Sequence, residues 1–374
     1  MKPKIAMKPK IAMKPKIAII ITRSEIGGAQ KYVLSIAKEL IHSFRIIVII
    51  GSEGYLSNEL RLNNIKTKII PELNSLNFIV AIHSIRKVIK NFNPHLINTH
   101  SSLAATYGRL ASVKLNSKTV YSVHGWPFTT NASIFRKLIT PLVEQLLSPA
   151  TSFWITETKY DLDFGLKKRA IRNKHNAVVI PNGIPAIARK PLKLDTKTYN
   201  IVFVGRSSFQ KDPELALKVI NNLPKKYNLT IYCNDADSFL LKKNIRQLNI
   251  ANRVTLIDSE ENTGSILHAY DLLLVTSRYE GMPLSMIEAM QSGLPIISPD
   301  VCGLSELITN GENGFLISSR NPKNYSEKIE YIFKNIELYE KMKHASNDRY
   351  LKHHTSKIMN QKIEMVFKML INQK

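Results

Sequence analysis

Several features that would place this chain outside the ordinary globular proteins are missing or rare in it. It has only two cysteines in 374 residues, Cys233 and Cys302, too few for a disulfide framework and without the spacing of a metal site. No apolar run approaches the ~20 residues of a membrane-spanning helix. The run "IAIIIT" near the start is short and has no small-residue cleavage site. We therefore expect a protein of a reducing compartment, without a signal peptide.

Acidic residues are scarce relative to basic ones. The chain has 53 Lys and Arg against 29 Asp and Glu, a formal net charge of +24. Residues 1–187 hold 27 of the basic and 9 of the acidic residues, a net +18, which leaves +6 for residues 188–374. This asymmetry predicts an anionic partner such as a nucleic acid, an anionic membrane or a phosphorylated substrate. A lysine-rich surface without a specific partner would carry the same charge, so charge alone leaves the question open.

The chain begins with "MKPKIA" three times over. The period is too short for a solenoid, whose repeats run ~20–50 residues. Only the last copy continues into an apolar run, "KIAIII". We interpret the extra copies as a duplicated segment without a function, and residues 1–15 as a tail.

Beyond the tail, short apolar runs alternate with amphipathic helical patterns. Continuous apolar runs such as "RIIVII" and "DLLLVTS" are typical of parallel strands buried on both faces. The alternation pauses around "PAIARKPLKLDTKTYN" and then resumes. The pattern predicts an α/β protein with two doubly wound, Rossmann-like domains and C-terminal helices. The expected divisions are an N-terminal domain at 16–187, a linker at 188–199, a C-terminal domain at 200–352 and a final helix at 353–374 that can pack back on the N-terminal domain.

Ligands of such sheets bind beyond the carboxyl ends of the strands. The first strand leads into Gly27 and Gly28, where the backbone can approach an anion at a helix N-terminus. The opening strand of the second half leads into "VGRSSFQKDPELAL", where Gly205 turns the chain. Arg206 and Lys211 in this loop suit a diphosphate, although two solvated surface cations would look the same.

The stretch "RYEGMPLSMIEAMQSGLP" carries two glutamates, Glu280 in a strand exit loop and Glu288 in a helix. Pro283 fits the first helical position, and the backbone N–H groups of Met282, Leu284 and Ser285 would form an anion site. Carboxylates accept hydrogen bonds from sugar hydroxyls. The apolar context "SMIEAM" argues against a plainly solvated Glu288.

Two other polar features follow strands. His100, in "NTHSS", could shape an acceptor cleft, and His124, in "SVHGW", could equally be a capped core residue. The "DAD" at 235–237 imitates an acidic metal motif, but we interpret it as a helix cap.

These segments resemble a known family. "GRSSFQKDPELAL", "SRYEGMPLSMIEAMQSGLPIIS" and "GLSELITNGENGFLI" are similar to the C-terminal half of glycosyltransferase family 4, retaining enzymes of the GT-B fold. "GGAQ", "HSSLAATYGRLAS", "VYSVHGWPF" and "VIPNGI" resemble the N-terminal half of bacterial members that build surface polysaccharides. The resemblance spans roughly residues 16–360. Two positions depart from the family pattern, Gln30 in place of a glutamate and Asp212 in place of a glycine.

The resemblance implies a site between the domains. Arg206 and Lys211 would bind the donor diphosphate, Glu280 the donor sugar, and Glu288 the ribose. The implied catalytic residues are His124, Glu280, Arg206 and Lys211, and the implied donor-binding residues are Gly28, Gly205, Gly281, Met282, Pro283, Leu284 and Glu288. His124 would reach the donor sugar, and Gly28 the phosphates. The family fold needs no metal, and the nucleotide-sugar is a co-substrate, so no cofactor is expected.

The function implied is that of a retaining, hexosyltransferase-like enzyme of class EC 2.4. It would move a sugar from a nucleotide-diphosphate sugar to a glycan acceptor, lipid-linked, in lipopolysaccharide, O-antigen or capsule synthesis. We expect it in the cytoplasm, peripheral on the inner face of the cell membrane, with an anionic membrane surface as a partner. The helix pattern "SIFRKLITPLVEQLLS" could lie on that membrane or pack on the core.

Two alternatives remain at this point. A nucleotide-sugar epimerase of the same fold would need no acceptor. A basic nucleic-acid-binding protein would need a base-reading module, and the sequence contains no helix-turn-helix, zinc or aromatic-strand motif, so we expect no nucleic-acid partner.

Overall fold

A computed structural model describes residues 13–75, 77–128, 134–187, 197–234, 238–258 and 263–373. Its strands form two sheets, one of seven strands and one of six, and the paired strands in both are parallel. The "DAD" at 235–237 and most of the expected linker lie outside the described residues. The expectation of two parallel-sheet α/β domains is confirmed.

The N-terminal sheet has the order β3-β2-β1-β4-β5-β6-β7. Its strands are β1 Lys16–Ile21, β2 Arg45–Ile50, β3 Lys66–Ile69, β4 Leu96–His100, β5 Lys118–Val123, β6 Phe153–Thr156 and β7 Ala177–Val179. The helices of this half are α1 Gly28–Leu40, α2 Tyr55–Leu62, α3 Phe78–Phe92, α4 Ser102–Ser112, α5 Ile134–Leu147 and α6 Lys159–Lys167. In β1, Ile17 pairs with both Ile46 and Leu96, and it is fully buried, as a central strand covered on both faces requires.

The C-terminal sheet has the order β10-β9-β8-β11-β12-β13. Its strands are β8 Tyr199–Val204, β9 Tyr227–Cys233, β10 Val254–Asp258, β11 Leu272–Leu274, β12 Ile296–Pro299 and β13 Gly314–Ile317. The helices that follow these strands are α7 Pro213–Asn222, α8 Phe239–Gln247, α9 Leu284–Ser292, α10 Pro322–Lys334, α11 Ile336–His353 and α12 Ser356–Asn372. In both sheets the strand order reverses beside the first strand, at β1/β4 and at β8/β11, and such switch points are where doubly wound sheets bind ligands.

One helix start differs from the sequence expectation. Pro283 has an extended backbone, with φ −69° and ψ 130°, and is the N-cap of α9, so the helix begins at Leu284. Pro283 therefore precedes the first helical position instead of occupying it. Its fixed φ is compatible with both positions, so the sequence could not separate them.

The last helix returns to the N-terminal domain. α12 contributes Met359, Ile363, Phe367 and Leu370 to the core that contains β1 and α1. Phe367 meets the Phe44 ring edge-to-face at 6.5 Å between centroids. α12 therefore fastens the two halves together by burying its apolar face on the first one.

The chain passes between the domains at two adjacent points. Ile184 N–H donates to His354 O at 3.0 Å, and Ser356 N–H donates to Ile184 O at 2.8 Å. A Cβ on Gly183 would lie 2.4 Å from the carbonyl oxygen of Thr355, so glycine is needed for this approach. Within the described residues, no helix is both long and apolar enough to cross a bilayer.

Candidate active site

A cavity of about 680 Å³ lies between the carboxyl edges of the two sheets. All eleven residues implied by the resemblance line it, from Gly28 and His124 on one side to Glu288 on the other. Their loops follow β1, β5, β8 and β11, and the carboxyl ends of parallel strands meet at one edge of a sheet. The structure thus brings the predicted set together, while the role of each residue remains a prediction.

Glu280 lies in a network supplied by its own domain. Its Oε1 is 2.6 Å from Lys211 Nζ and accepts a hydrogen bond from Ser277 Oγ at 2.7 Å. The Glu280 side chain is only 8% exposed, so the lysine neutralises a carboxylate that has lost most of its water. Arg206, at the same cavity, is exposed. The two cations proposed for a diphosphate are therefore unlike each other, one paired and one at the surface.

Glu288 has a partner from the other domain. Its Oε1 lies 3.2 Å from Lys31 Nζ, and the two side chains are 8% and 25% exposed. Lys31 belongs to the first turn of α1, three residues after Gly28. Sequence reasoning missed Lys31, although a cation in the first turn after a glycine pair is a signal that could have pointed to it. The pair joins the expected ribose site to the N-terminal domain.

His124 is held at both ring nitrogens by protein groups. Nδ1 lies 2.6 Å from Glu157 Oε1, and Nε2 lies 2.9 Å from His100 Nδ1. The Tyr32 ring meets the imidazole edge-to-face at 4.9 Å between centroids. Both ring nitrogens are therefore used within the protein, and a contact between His124 and a donor sugar would have to form while these two hydrogen bonds are kept or replaced.

His100 does not line the cavity. It is fully buried behind His124, and its Nε2 lies 2.7 Å from Asn98 Oδ1. Burial, and secondarily the neighbouring His124, holds the pKa of His100 well below its usual value. The suggestion that His100 shapes an acceptor cleft is thus not supported by its position, since it can act on the cavity only through His124.

Glu157 is a cavity residue that sequence reasoning missed. It follows β6, at the same sheet edge as His124, and that placement was the available signal. Its Oε2 accepts the backbone N–H of Met282 at 3.2 Å across the domain interface. The N–H of Met282, which we expected to face an anion, is therefore directed at a carboxylate. The first-turn N–H groups of Leu284 and Ser285 remain as donors at the start of α9.

Gly281 allows the domains to approach each other here. A Cβ at this position would lie 3.2 Å from Glu157 Oε2 and 3.6 Å from Gly125 N. A second contact lies below the cavity, where Glu306 accepts the backbone N–H groups of Lys159 and Tyr160 at 2.8 and 2.9 Å. The C-terminal domain thus supplies a carboxylate to the positive N-terminus of α6.

The two departures from the family pattern have local explanations. Asp212 caps α7 by accepting the Leu215 N–H at 3.4 Å and forms salt bridges with Arg278 and Arg320. Gln30 lines the cavity and donates to the carbonyl oxygen of Arg23 at 3.3 Å. Among the described residues, no cluster of three or more His, Cys, Asp or Glu side chains could hold a metal ion.

Two family models match the chain and divide it between its two sheets. The Glycosyltransferase Family 4 model matches residues 26–186, and the Glycosyl transferases group 1 model matches residues 186–349. The chain is a glycosyltransferase with a family 4 domain followed by a group 1 domain. This glycosyltransferase is therefore an enzyme, and the epimerase alternative is not favoured.

Relatives of known name support the family. The glycosyltransferase is 29% identical over 324 residues to the Escherichia coli O-antigen biosynthesis glycosyltransferase WbnH, covering 86% of this chain and 90% of WbnH. It is 30% identical over 255 residues to the E. coli UDP-Gal:alpha-D-GlcNAc-diphosphoundecaprenol alpha-1,3-galactosyltransferase, covering 63% of this chain and 66% of that one. The comparison with surface-polysaccharide enzymes made from the motifs is confirmed.

Solved structures confirm the GT-B fold. Anabaena HepE in complex with UDP and glucose superimposes with a TM-score of 0.83 at 18% identity, covering 95% of this chain and 100% of HepE. A glycosyltransferase from Rickettsia africae gives a TM-score of 0.81 at 18% identity, covering 96% and 100%. At this identity the likeness shows the architecture alone.

Proposed function

We propose that this glycosyltransferase moves a sugar, with retention, from a nucleotide-diphosphate sugar to a lipid-linked glycan in surface-polysaccharide synthesis. The observation that carries the proposal is the pair Glu280 and Glu288 on either side of the start of α9, each with a lysine partner. A nucleotide-diphosphate sugar has two sets of hydroxyls separated by a diphosphate. The cavity offers matching groups in the same spatial order: the Glu280 carboxylate, the N–H donors at the start of α9 and the Glu288 carboxylate.

The diphosphate would lie between two helix N-termini. α1 begins at Gly28 and α9 at Leu284, and both border the cavity from opposite domains. Helix N-termini carry partial positive charge and unpaired N–H groups, so they stabilise an anion. Arg206 and Lys211 add formal charge. Negative charge grows on the diphosphate as the sugar leaves, so this arrangement favours the transition state over the ground state.

Retention follows from a front-face displacement. The departing diphosphate oxygen takes the acceptor hydroxyl's proton while the acceptor oxygen forms the new bond on the face that the leaving group vacates. Glu280 orients the sugar through its hydroxyls, and Glu288 holds the ribose. The chain's own contribution is thus binding and charge stabilisation.

Two observations support a lipid-linked acceptor: the name of one relative and an exposed apolar surface on α5. The E. coli galactosyltransferase is named for a diphosphoundecaprenol acceptor. In the N-terminal domain, α5 exposes an apolar stripe at every fourth residue, and its members are between 57% and 79% exposed: Ile134, Leu138, Leu142 and Leu146. Residues four apart lie on one helix face, so the stripe is continuous.

Basic residues adjoin the apolar stripe of α5. Gln145 donates to the carbonyl oxygen of Lys168 at 2.8 Å, and Arg172 donates to that of Gln145 at 3.2 Å. The basic segment 167–174 therefore begins where α5 ends. An apolar stripe beside cations is the pattern of a helix that lies in the interface of an anionic bilayer. This supports attachment to the inner face of the cell membrane.

The donor is tested by a thermal-shift screen over UDP-, GDP-, ADP- and dTDP-sugars. A ligand at 100 times its dissociation constant stabilises by ~2.7 kcal/mol. The selected donor is then incubated with lipid-linked acceptors, and the products are identified by mass spectrometry. We expect a lengthened glycan only when the acceptor is present. Release of an altered nucleotide-sugar without acceptor would instead identify an epimerase.

The membrane surface is tested by liposome co-sedimentation of the full chain. We expect binding to anionic and not to neutral vesicles, weakened at high salt because exposed charges are screened beyond ~10 Å at 0.1 M. Leu138→Ser with Leu142→Ser, and charge reversal within 167–174, should each reduce binding. Leu62→Ser, at a residue of α2 that is 76% exposed, is the matched control. A full chain that stays in the supernatant at low salt contradicts the membrane attachment and favours a soluble acceptor.

A further inference from the structure

A chain of hydrogen bonds behind the cavity runs from Asn98 through His100 and His124 to Glu157, and its donors and acceptors can be assigned. Asn98 Nδ2 lies 2.9 Å from Ser122 Oγ and 3.4 Å from the carbonyl oxygen of Val120. A carbonyl oxygen only accepts, so the amide nitrogen must face it, and Oδ1 must face His100. His100 Nε2 therefore carries a hydrogen and donates it to Asn98 Oδ1 at 2.7 Å.

The hydrogen on His100 Nε2 determines the roles of the next two ring nitrogens, His100 Nδ1 and His124 Nε2. His100 is fully buried and its pKa is depressed, so the ring is neutral and its Nδ1 is an acceptor. His124 Nε2, 2.9 Å away, must then be the donor. On its other side His124 Nδ1 faces Glu157 Oε1 at 2.6 Å. The other oxygen of Glu157, Oε2, accepts the Met282 N–H, and a carboxylate that accepts at both oxygens requires a hydrogen on Nδ1 as well.

An imidazole that donates from both nitrogens is an imidazolium. We propose that His100 and Glu157 are positioning residues that hold His124 as a cation facing the donor diphosphate and sugar. The inference rests on the proposed function in assigning this cavity to a nucleotide-sugar. It assigns to His124 a charge role in place of a free hydrogen-bonding nitrogen.

The surroundings of His124 are consistent with one net positive charge on the ring. From α1 the group packed against it is Tyr32, which burial keeps neutral by raising its pKa. From β4 it is the neutral His100. From the end of β6 it is Glu157, with Asp161 of α6 beyond it. The C-terminal domain contributes the N–H of Met282 to the same carboxylate.

A cation held in this way needs no rearrangement during the reaction. Glu157 joins it to the residue that precedes Pro283 and α9, so the imidazolium and the helix N-terminus keep one relative geometry across the domain interface. Positive groups that are already oriented stabilise charge developing on a leaving group more than mobile ones do. We therefore expect the charge of His124 to affect turnover more than donor affinity.

Glu157→Gln tests the charge without changing the shape. The amide oxygen can still accept the Met282 N–H, and the amide nitrogen can donate to His124 Nδ1, which leaves the imidazole neutral. We expect kcat to fall about 10- to 100-fold with a much smaller change in the donor KM. Glu157→Asp, which retains a carboxylate, should restore most of the lost kcat.

Histidine-selective ¹⁵N NMR on the full chain measures the protonation directly and needs no donor. We expect two protonated ring nitrogens for His124 at neutral pH in the wild type and only Nε2 in Glu157→Gln, with signals assigned by their loss in His124→Gln. Glu39→Gln, at an exposed residue of α1, should leave spectrum and rate unchanged. A single protonated nitrogen on wild-type His124 overturns the proposal. Two protonated nitrogens in a protein that transfers no sugar would support the proton arrangement and contradict the proposed function.

Discussion

The two glutamates that flank the start of α9 have lysine partners from different domains. Lys211 comes from the same domain as Glu280, whereas Lys31 reaches Glu288 from α1. If Glu288 holds the ribose as proposed, nucleotide binding and the contact between the domains would share one carboxylate.

Glu288→Gln should weaken binding of the nucleoside diphosphate more than it slows turnover at saturating donor. Hydrogen bonds to a charged group contribute about 1.5–3 kcal/mol, which corresponds to a roughly 10- to 100-fold rise in dissociation constant. Isothermal calorimetry with the diphosphate selected by the donor screen measures it. Glu312→Gln, at an exposed residue of the same domain, is the control. Unchanged affinity in Glu288→Gln would remove the ribose role from this residue.

Asp161 gives the fold a pH dependence of its own. It is 2% exposed, and burial, partly offset by a hydrogen bond from Thr158, raises its pKa to about 7. A carboxyl whose pKa is raised on folding stabilises the protein fully below its unfolded pKa near 3.9, and this contribution is lost as pH rises towards 7. The loss is at most about 1.4 kcal/mol per pH unit in that window.

Asp161→Asn should therefore flatten the decline of stability between about pH 4 and pH 7. We expect the urea midpoint of the variant to exceed that of the wild type at pH 8 and to differ little at about pH 4. Asp163→Asn, at an exposed residue of the same helix, should change neither value. Parallel wild-type and variant curves across the range would show that Asp161 is ionised in the folded protein.

The helix α6 is held at its N-terminus by groups from both domains. Thr158 accepts the Asp161 N–H at 3.0 Å, and Glu306 of the other domain accepts two further N–H groups. Helix N-termini have four backbone donors without an intrahelical acceptor. The C-terminal domain thus satisfies donors that would need water if the domains separated.

Gly303→Val should separate the domains at this contact. A Cβ at Gly303 would lie 2.5 Å from Thr158 Cγ2 and 2.9 Å from Thr158 Cβ, closer than packed atoms allow. We expect a larger radius of gyration in small-angle X-ray scattering and weaker binding of the nucleoside diphosphate. Ala251→Val, at an exposed residue of the same domain, should change neither. A variant with the wild-type radius and affinity would show that Thr158 gives way without moving the domains.

The first strand of the N-terminal sheet begins inside the third copy of the repeat. β1 begins at Lys16. Immediately before it, Arg45 N–H donates to Pro15 O at 2.8 Å, and Lys14 Nζ donates to Ile41 O at 3.1 Å. The last "MKPKIA" copy supplies Lys14, Pro15 and the first three residues of β1, so we expect the strand to form without the first two copies.

Deleting residues 1–12 should leave the melting temperature within about 2 °C of the wild-type value, since ~1 kcal/mol corresponds to roughly 2–4 °C or less in a protein of this size. Turnover should also be unchanged. Differential scanning calorimetry and the sugar-transfer assay measure the two. A larger fall in melting temperature would show that the extra copies pack on the body.

Turnover should survive exhaustive chelation of divalent metals. Cations and helix N-termini border the cavity where a diphosphate would bind, and these can replace the charge that a metal supplies in other transferases. Assays with and without a chelator measure it. Activity that is lost on chelation and restored by Mg²⁺ or Mn²⁺ would contradict this and direct attention to the "DAD" at 235–237.

The amino-acid sequence by itself determined the two parallel sheets and which loops border the cleft. Buried parallel strands are continuous apolar runs, and their exits are marked by residues such as Gly205 and Gly28. The spacing of apolar residues in strands and helices, and the residues that cap helices, depend on neighbours a few positions away, so they can be recognised in the amino-acid sequence. The resemblance then assigned roles to residues in those exits.

Only the tertiary structure decided which side chains face each other across the cleft. Lys31 meets Glu288 across 257 positions of sequence, Glu157 meets Met282 across 125, and Glu306 meets Lys159 across 147. These pairs depend on how the two sheets are docked, which α12 and the glycines at the interface control. No local pattern encodes a contact between two domains, because each partner is compatible with its own segment whether or not the other is near. The hydrogen bonds around His124 belong to the same class, since they join His124 to Asn98 and His100 of β4 and to Glu157 after β6.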